Sequence, residues 1–134
     1  MPLVAVVVDD SMLIRYTVGQ FLEERGYRVE SASNGFEALE VLKKERVDLV
    51  VTDLQMPKMS GGELITALKS EGRTAQIPIV VLSGTASDLE GEQRANFAIC
   101  KDIDIETQLA KALDCIQGAT GKAGKKVRVQ AAGK

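Results

Sequence analysis

Hydrophobic and polar positions alternate along the chain in two rhythms. Leu3-Val4-Ala5-Val6-Val7-Val8 is a continuous apolar run rich in β-branched residues, which predicts a strand buried on both faces. Asp9-Asp10-Ser11 ends it and offers N-cap oxygens to a helix, where Ile14, Val18, Phe21 and Leu22 recur at helical spacing as one apolar stripe. Arg25-Gly26 closes that helix, with glycine in its usual C-terminal position. A weaker strand is predicted over Arg28–Ala32. Asn34-Gly35 then turns the chain into a second helix with Phe36, Leu39 and Leu42 on one side. Asp48–Thr52 reads as another buried strand, Asp53–Gly61 as a loop and Glu63–Lys69 as a third helix. Ile77–Leu82 is a fourth strand, with Pro78 tolerated near its start, and Phe97–Cys100 a fifth. Between them, residues 87–94 predict only a short or irregular helix, because Gly91 weakens it. Ile105–Ile116 predicts a last helix.

Strands and helices therefore alternate from end to end. Crossovers of this length imply parallel strands, right-handed connections and helices on both faces, that is, an open doubly wound α/β sheet. Ligands of such sheets sit outside the carboxyl ends of the strands, where strand order reverses.

The length of 134 residues fits one domain, and a chain of this size buries roughly 68% of its unfolded surface. Its 45% hydrophobic and 27% charged residues exclude a disordered or collagen-like chain and a disulfide scaffold. No apolar run reaches the ~18 residues of a membrane span. Met1-Pro2-Leu3-Val4 opens without an export signal, so the expectation is a cytoplasmic protein that engages no membrane. Cys100 and Cys115 form no Cys-x-x-Cys pattern and read as small apolar residues suited to a reducing compartment. There is no histidine, which removes every His-based acid, base, metal ligand or phosphohistidine from this chain. Five of the 17 basic residues follow Gln117, so residues 1–117 carry 12 basic against 19 acidic side chains. An acidic body with a short basic tail predicts no direct nucleic-acid binding. Residues 1–117 read as the folded domain and 118–134, dominated by Gly, Ala and Lys, as a flexible tail too short for a second one.

The carboxyl ends of the strands carry the candidate chemistry. The first strand ends in Asp9-Asp10, the third in Asp53, the fourth in Ser83-Gly84 and the fifth in Lys101. Each taken alone has a simpler explanation: a helix cap, a turn aspartate, a loop signal, a solvated lysine. Together they place three carboxylates, a hydroxyl and an ammonium at one edge. Three carboxylates in one crevice repel one another and coexist comfortably around a hard divalent cation. Mg²⁺ takes oxygen ligands, typically one or two carboxylates plus waters and phosphate oxygens. The set reads as a metal-assisted phosphoryl site, in which an aspartate can itself be the nucleophile.

These residues resemble the receiver domain of bacterial two-component response regulators, over residues 3–117. The most specific piece is Asp53-Leu54-Gln55-Met56-Pro57-Lys58-Met59-Ser60-Gly61, which resembles the family's D-x-x-M-P-x-M-x-G. Val8-Asp9-Asp10-Ser11 resembles its acidic pair, and Val81-Leu82-Ser83-Gly84 its hydroxyl residue followed by a small one. The resemblance implies a flavodoxin-like five-stranded parallel sheet in the order 2-1-3-4-5. It implies Asp53 as phosphoacceptor, with Asp10 and Asp53 ligating Mg²⁺ directly, Asp9 through water and the Gln55 carbonyl completing the set. Ser83 would be the switch hydroxyl, Lys101 the partner of the acyl phosphate, and Gly84 the small residue that leaves room for a donor. The donor would be a sensor histidine kinase or a histidine phosphotransfer protein. Met12, Leu13 and Ile14 cannot all face the core together with the Val18-Phe21-Leu22 stripe, so at least one is expected to be exposed as a docking anchor.

The chain departs from the family pattern in one region. Asp102 follows Lys101 where proline is usual, and a cis bond without proline costs roughly 2.5–4 kcal/mol, so a trans peptide is expected. Ala98 occupies the family's aromatic switch position, and Phe97 is one residue off, which on a strand is the opposite face. The expectation is that residues 84–96 answer phosphorylation by a shift between order and disorder. A second reading is a partly degenerate receiver that serves as a phosphorylation-independent docking module, against which stands the joint presence of Asp9, Asp10, Asp53, Ser83 and Lys101. A third, a small phosphatase with an aspartate nucleophile, needs a second carboxylate where Gln55 stands. A dinucleotide-binding role fails for want of Gly-x-Gly-x-x-Gly after the first strand.

Overall fold

The computed structural model describes residues 3–56, 58–83, 96–100 and 104–118. The elements follow the predicted alternation: β1 (Leu3–Val8), α1 (Met12–Glu23), β2 (Tyr27–Ala32), α2 (Gly35–Lys44), β3 (Leu49–Asp53), α3 (Gly61–Ser70), β4 (Ile79–Ser83), β5 (Phe97–Cys100) and a C-terminal helix (Ile105–Gly118). The five strands are parallel and ordered β2-β1-β3-β4-β5, which is the flavodoxin-like order. The expectations for residues 84–95, for the peptide after Lys101 and for the tail from 119 onward lie outside the described residues.

Parity along the strands sorts the core into two layers. Ala5, Val7, Leu49, Val51, Val80, Leu82, Phe97 and Ile99 pack against Val18, Phe21 and Leu22 of α1 and Leu109, Ala112 and Leu113 of the C-terminal helix. Val4, Val6, Val8, Val50, Ile79 and Val81 pack on the other face against Ala38 and Leu42 of α2 and Leu64, Ile65 and Leu68 of α3. Strands buried on both faces are why the sequence shows apolar runs there rather than alternation. Cys115 is half-buried against the first layer.

Three local readings differ from the structure. Phe36 does not face the core: it is 52% exposed, and α2 buries Gly35, Ala38 and Leu42 instead. The start of α2 instead sets Gly35 against Met59 of the loop after β3, so closely that a Cβ on Gly35 would fall 2.6 Å from Met59 Sδ. β4 begins at Ile79 rather than Ile77, because the Ile77 N–H is used in a turn to the Thr74 carbonyl and Pro78 has no N–H to give. α3 begins at Gly61, two residues before the predicted Glu63, because Ser60 and Glu63 form a capping box: Glu63 N donates to Ser60 Oγ at 3.1 Å and Ser60 N to Glu63 Oε1 at 2.9 Å.

Gly61 also closes the turn after β3. Its N–H donates to the Leu54 carbonyl at 3.0 Å, and a Cβ there would fall 2.1 Å from the Asp53 carbonyl oxygen and 2.8 Å from Leu54 Cα. Helix propensity alone would favour alanine at this position by up to about 1 kcal/mol. The overlap with backbone reverses the sign, and Gly61→Ala should destabilise the fold by about 1–3 kcal/mol in urea titrations. Ser60→Ala, which removes only the cap, should cost about 1 kcal/mol in the same assay.

Asp104 precedes the C-terminal helix and accepts hydrogen bonds from the Thr107 hydroxyl at 2.8 Å and the Thr107 N–H at 3.3 Å. These bonds hold its carboxyl below the usual aspartate range. A carboxylate whose folded pKa is depressed stabilises the fold above its unfolded pKa of roughly 3.9, and loses that contribution as pH falls through the folded value. Asp104→Asn keeps a capping oxygen but cannot titrate. The stability advantage of the parent over this variant should be constant above about pH 5 and shrink as pH falls below about 4, read from urea midpoints across the range.

Candidate functional site

Strand register brings the first two candidates together. Val8 pairs with Thr52 across β1 and β3, so Asp9, just beyond β1, and Asp53, the last residue of β3, leave adjacent strand ends side by side. Asp9 is fully buried and Asp53 nearly so, whereas Asp10 is exposed. Carboxylate oxygens of Asp9, Asp10 and Asp53 all lie within 4.8 Å of one another.

Backbone groups aim two of these carboxylates. Ser11 N donates to Asp9 Oδ1 at 2.8 Å, and Ser11 Oγ, the N-cap of α1, accepts from Ile14 N at 3.3 Å. Gln55 N donates to Asp53 Oδ1 at 3.2 Å. Leu54 N donates to the Leu82 carbonyl at 3.1 Å, which ties the β3 end to β4. Ser83, fully buried at the end of β4, is paired with Cys100 of β5. Asp9, Asp10, Asp53 and Ser83 thus occupy the carboxyl edge of the sheet, with Gln55 exposed on the loop above it. Gly84 and Lys101 lie outside the described residues.

The methionines of the loop motif have a packing role. Met56 and Met59 are partly buried against the second core layer, and Leu54 joins them. Lys58, between them, has φ of 72°, in the left-handed region that a residue with a side chain occupies only at a cost. The loop is therefore held by apolar anchors on both sides of the strained residue.

Two features were not singled out from the sequence. Arg15 Nη1 donates to the Asp9 carbonyl at 2.7 Å. Glu37, in the first turn of α2, accepts from Ser33 N at 2.8 Å and Ser33 Oγ at 2.9 Å. Those bonds, aided by the nearby charges of Lys58 and Arg15, hold its carboxyl below the usual glutamate range. The only signal available was positional: Arg15 falls one turn into the helix that follows the acidic pair, and Glu37 three residues after the N-cap Asn34.

The expected docking residues divide. Met12 is 73% and Leu13 70% exposed, whereas Ile14 is partly buried against the first core layer. Tyr16 is also largely exposed on this face, its hydroxyl accepting from Gln20 Nε2 at 2.9 Å.

The donor set fits a hard cation: three carboxylates, two of them oriented by backbone N–H groups, converge with no histidine or cysteine among them. A protein of gliding-motility regulation from Myxococcus xanthus is 42% identical over 81 residues, 60% of this chain and 10% of its own length. The response regulator MprA of a Mycobacterium species (strain KMS) is 40% identical over 97 residues, 72% of this chain and 40% of its own length. The chain thus spans less than half of these relatives. Among solved structures, the chemotaxis response regulator CheY4 of Vibrio cholerae superposes with a TM-score of 0.77 at 33% identity, covering 87% of this chain and 99% of that one. The family model for the response regulator receiver domain matches residues 5–114, from β1 into the C-terminal helix, and the chain belongs to that family.

Proposed function

We propose that this receiver accepts a phosphoryl group on Asp53 from a histidine kinase or a histidine phosphotransfer protein, with Mg²⁺ held by Asp10, Asp53, the Gln55 carbonyl and, through water, Asp9. The observation that carries the proposal is the convergence of three carboxylates on the edge where β1 and β3 end side by side. Receiver domains are signalling domains of two-component systems that interact with histidine kinases, and they typically bind Mg²⁺ at an acidic pocket. This chain has no histidine, which suits the accepting side of such a transfer.

In the proposed step an Asp53 carboxylate oxygen attacks phosphorus, the P–N bond of the donor phosphohistidine breaks, and the electron pair returns to the imidazole. An acyl phosphate on Asp53 and an unmodified histidine result. A bound Mg²⁺ supplies Lewis-acid neutralisation of the phosphoryl oxygens. The Gln55 N–H, on Asp53 Oδ1, orients the nucleophile before the donor arrives. Asp53 is 4% exposed, and Ser83, buried at the end of the neighbouring strand β4, would donate its hydroxyl to a phosphoryl oxygen. Lys101 and Gly84 take, by sequence position, the charge-pairing role and the place of the small residue at the donor entrance. The chain turns over no metabolite; its own chemistry is limited to accepting the group and slowly losing it.

Incubation with Mg²⁺ and acetyl phosphate should add one base- and hydroxylamine-labile phosphate, read by intact mass. Asp53→Asn should abolish it, and single-site labelling that persists in that variant would refute the assignment. Beryllofluoride should bind the parent protein in the presence of Mg²⁺ and not the variant.

Met12 and Leu13 stand exposed on the first turn of α1, directly after the acidic pair, and are proposed as the apolar anchor for the donor's helices. Ile14 is instead partly buried against the first core layer. Removing apolar contacts of this size at the centre of an interface typically costs about 2 kcal/mol of affinity. Met12→Ser with Leu13→Ser should therefore slow phosphotransfer from a phosphorylated histidine protein roughly thirtyfold at limiting concentration, while the rate with acetyl phosphate stays at the parent value. Equal losses with both donors would remove the docking role.

A further inference from the structure

The bond from Arg15 to the acidic loop runs against the local electrostatics of its helix. α1 has no acidic residue in its first turn, and a cation near a helix N-terminus is disfavoured by roughly 0.3–1 kcal/mol. Arg15 nonetheless lies there half-buried, and its guanidinium donates to the Asp9 carbonyl at 2.7 Å. That carbonyl belongs to the peptide unit that joins Asp9 to Asp10, and a peptide unit is planar. Fixing its oxygen fixes the Asp10 nitrogen and the position of Asp10 Cα. On the other side, Asp9 N donates to the Ala32 carbonyl at 3.1 Å, and Asp9 Oδ1 accepts from Ser11 N. Asp9 is thus held at its N–H, its side chain and its carbonyl, and Arg15 provides the third of these restraints. Asp10 itself is exposed, so packing does little to aim its carboxylate.

Resting on the proposed Mg²⁺ site, we infer that Arg15 is a positioning residue for it: the guanidinium sets the plane of the Asp9–Asp10 peptide and so the direction from which the Asp10 carboxylate enters the cluster. The charge of Arg15 alone argues the opposite effect. A cation beside three carboxylates repels a divalent ion, so neutralising it should tighten Mg²⁺ binding by Coulomb's law. Positioning predicts weakening, and the two accounts differ in sign.

The test is a titration of ¹⁵N-labelled protein with Mg²⁺ alone, followed at the Asp10, Ser11 and Gln55 amides, with a urea midpoint for each variant. Arg15→Met keeps the apolar stem and removes the donors. It should bind Mg²⁺ roughly tenfold more weakly, the range found when groups that orient metal ligands are lost. Its Asp10 amide resonance should already be displaced before metal is added. Arg15→Lys restores a donor and the charge in a single-point geometry and should recover Mg²⁺ affinity to within about threefold of the parent. Should Arg15→Met fail to fold, Arg15→Leu, which also lacks donors, carries the same comparison. Unchanged or tighter Mg²⁺ binding in the neutral variant, with the parent binding normally, overturns the role even if the urea midpoint falls. If the parent itself gives no saturable response at these amides, the metal site fails and the Arg15 assignment falls with it.

Discussion

The pairing register between β1 and β3 is the constraint on which the rest depends. Val8 opposite Thr52 puts Asp9 and Asp53 next to each other at one edge. At the other edge a reciprocal pair pins the same two strands: Asp48 N donates to the Val4 carbonyl at 2.7 Å, and Val4 N donates to Asp48 Oδ2 at 2.8 Å. A slip of one residue would turn every side chain of β1 to the opposite layer. Val6, in the layer of Leu64 and Leu68, would trade places with Val7, in the layer of Leu22. Each of these side chains contributes about 1.5–3 kcal/mol through its burial, so the register that builds the two cores also delivers the acidic edge.

That edge is costly to assemble. Carboxylates at this separation repel, and two of the three are withdrawn from water. Backbone N–H groups of Ser11 and Gln55 oppose the repulsion locally, pointing at Asp9 and Asp53. Hydrogen bonds to a charged acceptor are worth roughly 1.5–3 kcal/mol each and offset part of that repulsion. The same two N–H groups belong to residues that continue into α1 and the β3–α3 loop. Carboxylate orientation and the geometry of those connections are therefore one structural problem, and Gly61 shows how tight it is, since no side chain fits between α3 and the Asp53 carbonyl.

Most of this was legible in the sequence, for identifiable reasons. Apolar runs gave β1, β3, β4 and β5, since a strand buried within the sheet leaves few polar positions to confuse the pattern, whereas β2, with Arg28, Glu30 and Ser31, read only as a weaker strand. The acidic edge followed from the rule for strand ends, without contact information. What the sequence could not supply was any relation set by another segment. Phe36 fits a helical stripe with Leu39 and Leu42, yet it alone is exposed while those two pack inward, and the start of α2 sets Gly35 rather than Phe36 against a distant segment, at Met59. Ile77 looks like strand and serves a turn, because its N–H is taken by Thr74. Arg15 looks like a solvent-facing helix residue, and only the path of the Asp9 carbonyl reveals its partner.

The same distinction between pattern and context decides what β5 can do. Ala98 and Phe97 are neighbours in sequence, and strand parity sends them to different layers. Ala98 stands opposite Val81 and is half-buried. Phe97 stands opposite Val80 and is 5% exposed among Ile99, Leu109 and Leu113. A ring in that position is a core residue. Swinging it out would empty a volume comparable to a Phe→Ala cavity, which costs about 3–5 kcal/mol. A reversible signal with both states populated tolerates a difference of only a few kcal/mol between them. Phe97 therefore cannot stand in for an aromatic at position 98 that moves between two wells, and alanine there offers no rotamer to move. β5 is built as a fixed wall beneath the C-terminal helix, and any change of shape that follows events at the acidic edge must be carried by other residues.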